Sequence, residues 1–107
     1  MALNEQLEQI VMTIIANAGD ARVKVYEALA KAKKGEFEEA KALLKKSEEV
    51  STEAHLAHSQ LLSLYANGEL QATDLLISHA QDHLMCAELA RELVTEIINL
   101  HEIVQEK

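Results

Sequence analysis

Two histidines one helical turn apart, His79 and His83, with Gln81 and Asp82 between them, form the stretch of this sequence whose residue types and spacing can do chemistry. At ~100° per residue, His79, His83, Asp82 and Cys86 fall within about 60° of one line along a helix, together with Leu75 and Ala90. Two imidazoles and a carboxylate therefore share an apolar stripe. A polar group withdrawn from water must be hydrogen-bonded, paired or bound to an ion, so such a cluster calls for a functional partner.

An i,i+4 histidine pair is one way to hold zinc, but the metalloprotease form needs glutamate directly after the first histidine, and Ala80 stands there. His79, Asp82 and His83 would make a partial zinc site, short of a fourth ligand unless His55 or His58 supplies it. In a second reading one imidazole is a nucleophile. A neutral histidine has a lone pair near pH 7, and a second histidine one turn away can orient it or hydrogen-bond an anion added to it, as in covalent phosphorylation.

Asp82 points to the flank that carries Leu75 and Leu89. Where copies of that flank meet around an axis, their carboxylates repel and need a hard cation or shared protons; for three of them Mg²⁺ completed by water is the natural ion. The alternative is an exposed carboxylate, or one paired to a cation on the first helix such as Arg22.

The elements that must position these residues are helices. The 107-residue chain has no proline, three glycines and 49% hydrophobic residues, which predicts a single all-α domain over 1–107. Helix one is expected from Asn4, as N-cap, to Lys34, with Gly35 as its stop signal. Its seam runs through Leu7, Val11, Ile14, Ala18, Ala21, Val25, Ala28 and Ala32. Gly19 at its centre predicts close approach of another helix. Helix two spans Glu36 to Asn67, ends at Gly68, and has a seam through Ala40, Leu43, Ser47, Val50, Ala54, Ala57, Leu61 and Leu64. His55 and His58, one turn apart on it, lack a matching Cys, Asp or Glu ligand signature and are read as structural, with support of the site from behind as the alternative. Helix three starts at Thr73 or Asp74 and runs to about Gln105, with a seam through Leu76, His79, His83, Cys86, Ala90, Leu93, Ile97, Leu100 and Val104. Short connections make the neighbours antiparallel, which gives an up-down-up three-helix bundle.

Apolar residues on helix three cover roughly 260° of its circumference, far more than the ~100° stripe that a bundle core requires. The excess predicts a self-association surface centred on this helix.

The formal charge of −8, from 10 Lys+Arg against 18 Asp+Glu, opposes binding to nucleic acid. No run approaches the ~20 apolar residues of a membrane span, and the amino-terminal residues lack the pattern of a secretion signal, so a cytoplasmic protein without membrane insertion is expected. Cys86 is the single cysteine and cannot form an internal disulfide; its place in the seam predicts a buried thiol.

The run His79-Ala80-Gln81-Asp82-His83-Leu84-Met85 resembles the signature of the lactose/cellobiose-type IIA components of the bacterial phosphoenolpyruvate-dependent sugar phosphotransferase system. Ala18-Gly19-Asp20-Ala21-Arg22, Gly35-Glu36-Phe37 and Glu53-Ala54-His55 are similar to the family's helix-one, first-turn and helix-two motifs, and Leu100-His101-Glu102 to its cellobiose/chitobiose branch. The resemblance implies a homotrimer in which His79, through Nε2, accepts a phosphoryl group from the phosphocarrier protein HPr. It passes the group to the cysteine of a IIB component, which serves a membrane IIC component during uptake of a disaccharide. It also implies one Mg²⁺ per trimer, shared by Asp82 of each subunit, with His83 and Gln81 supporting the site. His58 stands where relatives often have glutamine, and Cys86 where they often have threonine. The rival class is a non-catalytic helical adaptor. A two-component phosphotransfer domain would carry lysine and glycine shortly after its histidine, where Gln81, Asp82 and His83 stand instead.

Overall fold

The structure, a computed structural model, describes residues 3–70 and 75–106. Three helices, α1 (Leu3–Lys33), α2 (Phe37–Ala66) and α3 (Leu75–Glu106), form a rod 57 × 19 × 19 Å. The described residues include no strand, and no described helix is long and apolar enough to cross a membrane.

Both predicted glycine stops are backbone caps. Gly35 at φ +81° lets its N–H reach Ala32 O and the Glu36 N–H reach Lys31 O, and Gly68 at φ +78° does the same with Tyr65 O and Leu64 O through Glu69 N–H. This double bond pattern satisfies carbonyls that the helix end leaves free, and glycine adopts the left-handed conformation without a Cβ penalty. The three-residue turn 34–36 folds α2 back along α1. Lys41 near the start of α2 meets Glu102 near the end of α3 at 2.9 Å, so α3 runs parallel to α1 and the bundle is up-down-up. Helix α1 begins at Leu3, so Asn4 lies inside its first turn rather than at the cap. The expected caps Thr73 and Asp74 lie outside the described residues.

The seams of α1 and α2 are buried or half-buried at every predicted position within the described residues. They feed two apolar clusters. One joins Ile10, Val11 and Ile14 to Leu61, Ile77 and Leu84; the other joins Val25, Ala28 and Ala32 to Ala40, Val94 and Ile98. Ser47, buried in the α2 seam, donates its hydroxyl to Leu44 O at 2.6 Å, so no polar atom is stranded there.

Helix α3 departs from the expected seam. The residues it buries are Ile77, Ala80, Leu84, Ala87, Val94 and Ile98, a line rotated by roughly 100° from the His79 line. Ala80 and Ala87 lie on this line between the larger Ile77, Leu84 and Val94. The stripe of Leu76, Leu93, Ile97, Leu100 and Val104 faces solvent, with Leu75, Leu89 and Ile103 alongside. Cys86 is therefore exposed, against the expectation of a buried thiol. Gly19 is also corrected, since apart from its chain neighbours and the adjoining α1 backbone no described residue of the chain lies within 4 Å of where its Cβ would stand.

Candidate functional site

The inward anchors Ala80 and Leu84, both fully buried in the first apolar cluster, alternate along α3 with the outward residues His79 and His83. The core thus fixes the backbone from which both imidazoles project. Their rings stand edge to face with centroids 4.5 Å apart, and His83 Nε2 lies 3.1 Å from His79 Nε2. Such a contact needs one N–H and one lone pair, so in the paired state one ring carries its proton on Nε2 and the other presents an unprotonated Nε2. A ring of the second kind is a nucleophile.

Both histidines line a shallow depression of about 140 Å³ whose other walls are Arg22 from α1, Asp82 and Cys86. Asp82 is exposed, and among the described residues neither it nor Arg22 takes part in an ion pair. Arg22 instead lies over the Tyr26 ring at 5.6 Å to the centroid. A single chain offers no group of three or more His, Cys, Asp or Glu side chains able to hold a metal among the described residues, so the partial zinc site has no support.

Gln81 turns to the opposite flank of α3, where its Nε2 lies 3.1 Å from His58 Nε2 on α2. Two turns further along α3, the half-buried Glu88 accepts hydrogen bonds from buried Ser51 and from Arg91 (2.8 Å), with His55 Nε2 at 3.2 Å. Burial pushes the Glu88 carboxyl up, but the Ser51 hydrogen bond, the Arg91 charge and the contact with His55 outweigh it and hold the carboxyl below its ordinary value. The sequence reading missed this fastening. Ser51, His55 and His58 at steps of four and three, opposite Gln81 and Glu88 seven apart, are the signal that could have found it.

A larger groove of about 530 Å³ between α2 and α3 is not the better candidate. Two of its cations are committed elsewhere, Lys41 to Glu102 and Arg91 to Glu88, and it contains no histidine or cysteine.

With this geometry in place, the comparisons decide the family. The family model of the "PTS system, Lactose/Cellobiose specific IIA subunit" matches residues 9–102. The chain belongs to this family. It is a IIA component of the sugar phosphotransferase system, and such components are parts of a phosphotransferase.

This IIA chain is 47% identical to the N,N'-diacetylchitobiose-specific EIIA component of Escherichia coli K12 over 98 residues, covering 92% of the chain and 84% of that relative. The crystal structure of the cellobiose-specific enzyme IIA from Bacillus anthracis superposes with a TM-score of 0.91 at 38% identity, covering 100% of this chain and 95% of the other. The IIA(chitobiose) of the Escherichia coli system, solved in complex with HPr, superposes with a TM-score of 0.82 at 44% identity, covering 92% and 96%. The three-helix fold of this IIA subunit is thus that of its relatives, and the exposed His79–His83 pair lies within the matched span.

Proposed function

We propose that this protein is a phosphoryl carrier in which His79 accepts a phosphoryl group from phospho-HPr and passes it to the cysteine of a IIB component, during uptake of a disaccharide of the cellobiose, chitobiose or lactose type. The observation that carries the reading is the His79–His83 contact in an open depression on a IIA fold. A carrier needs its nucleophile exposed to two protein partners in turn, and His79 is exposed. The solved complex of a relative with HPr supports HPr as the donor.

The step is an in-line displacement. His79, unprotonated at Nε2, presents its lone pair to phosphorus as the N–P bond of the donor phosphohistidine breaks. The paired geometry accommodates the required tautomer: when His83 donates its Nε2–H, His79 keeps its proton on Nδ1 and its lone pair on Nε2. Once the phosphoryl group occupies that nitrogen, the same His83 N–H is free to donate to a phosphoryl oxygen. Gln81 acts at a distance, by fastening α3 to α2 through His58.

The exposed stripe of α3 is the surface on which three copies assemble, and Asp82 sits on it. Its oxygen donors suit Mg²⁺, and its lack of a cationic partner among the described residues leaves it available. Asp82 of three subunits would hold the ion, which would neutralise three converging carboxylates. The protein works in the cytoplasm, where HPr and IIB meet it.

The test is a phosphate chase. Protein labelled from phosphoenolpyruvate through enzyme I and HPr is freed of the donors and mixed with a IIB component. Transfer of the label to IIB is expected, and label that stays on this protein contradicts the carrier role.

A further inference from the structure

The carrier reaction leaves one charged neighbour of His79 without a part. Among the described residues, Arg22 is the sole Lys or Arg side chain lining the depression that holds His79, Asp82, His83 and Cys86. The other arginine of the chain, Arg91, is committed to Glu88 at 2.8 Å, whereas no ion pair among the described residues involves Arg22. Its guanidinium is held 5.6 Å from the centroid of the Tyr26 ring, one turn along α1. An aromatic ring engages the face of a guanidinium and leaves the N–H groups at its edge free to bind an anion.

We propose that Arg22 is a phosphoryl-binding residue of the site beside His83, its guanidinium edge holding phosphoryl oxygens as the group moves onto His79. The inference rests on the carrier reading and deepens it. A phosphoryl group brings negative charge into a depression that already contains the Asp82 carboxylate, on a chain whose formal charge is −8. Two neutral imidazoles do not offset that repulsion. A permanent cation with forked donors does, and arginine stays charged at any pH the protein meets. In the step itself the His79 lone pair forms the new N–P bond while the donor's N–P bond breaks and its electron pair returns to the donor imidazole. The charge stays on the phosphoryl oxygens throughout, and Arg22 neither gives nor takes a proton.

The test compares wild type, Arg22→Lys and Arg22→Gln, with His79→Ala as blank. Initial rates of phosphorylation are measured over a range of phospho-HPr concentrations, alongside oligomer mass, helicity and a ³¹P NMR pH titration of the phosphorylated forms. Arg22→Gln is expected to lower kcat by roughly 10- to 100-fold with mass and helicity unchanged. Its phosphoryl resonance should titrate at higher pH than that of wild type, since the cation favouring the dianion is gone, a shift that a merely structural arginine does not cause. Arg22→Lys, with a point charge in place of the fork, should recover part of the rate. If Arg22→Gln alters the assembly, Arg22→Lys carries the test, and a lysine variant with wild-type kcat and titration overturns the proposal. So does an assembled glutamine variant with both unchanged. Wild type that takes no phosphate from active phospho-HPr overturns the carrier reading, and this inference with it.

Discussion

His79 and His83 stand edge to face one helical turn apart, with their Nε2 atoms 3.1 Å from each other. When His83 is the donor in this contact, His79 presents an unprotonated Nε2 and the His83 N–H stands beside the transferred group. His83→Ala is therefore expected to keep accepting one phosphoryl group on His79 while its rate falls by roughly 10²-fold. Quench-flow phosphorylation by phospho-HPr measures this, and an unchanged rate removes His83 from the reaction.

The exposed stripe of α3 predicts the consequence of charging it. Leu93 is 55% exposed in the single chain, and three copies meeting on this stripe would withdraw it from water. Leu93→Glu would place carboxylates in that contact, at a desolvation cost of several kcal/mol per ion. Sedimentation velocity should find a trimer in the wild type and a helical monomer in the variant. A variant of wild-type mass shows that the stripe is not the assembly surface.

Asp82 separates charge neutralisation from packing. Wild type purified with Mg²⁺ should contain one ion per three chains by elemental analysis. Asp82→Leu should contain none and yet remain a trimer, because the repulsion that the ion offsets is gone. An assembled wild type without bound cation at millimolar Mg²⁺ contradicts this role.

The Glu88 fastening has a pH signature. Its carboxyl is held below the ordinary 4.5 in the folded protein, so its stabilising contribution is fully present above that value and is lost as pH falls through the lower, folded-state value. Wild type should therefore lose stability on acidification more steeply than Glu88→Gln, while at neutral pH the variant is the less stable of the two. Urea unfolding between pH 3 and 7 measures both slopes, and parallel curves contradict the assignment.

The fold was legible where a helix carried one apolar stripe. Helices α1 and α2 each do, so their spacing of threes and fours named the buried line, and Gly35 and Gly68 marked both stops. Helix α3 carries two such stripes, and periodicity alone does not say which one turns inward. In the folded chain the line through Ile77, Ala80, Leu84, Ala87, Val94 and Ile98 is the one that turns inward. The excess of apolar surface on α3 was nevertheless visible, as was the His79–Asp82–His83 group.

Contacts between helices were less legible. The sequence offers Arg22 as a counter-ion for Asp82, but it lies against Tyr26, and neither Arg22 nor Asp82 takes part in an ion pair among the described residues. The α2 partners His58 of Gln81 and Ser51 of Glu88 are 23 and 37 residues away in sequence, and these contacts depend on how far each helix is rotated.

The central claim is that His79 carries the phosphoryl group. Intact-mass spectrometry of the protein and of His79→Ala, each incubated with phosphoenolpyruvate, enzyme I and HPr and kept from acid, tests it most directly. The account predicts the mass of one added phosphoryl group on the wild type and none on the variant. An unmodified wild type beside a known acceptor that is phosphorylated, or a variant that gains the same mass, contradicts it.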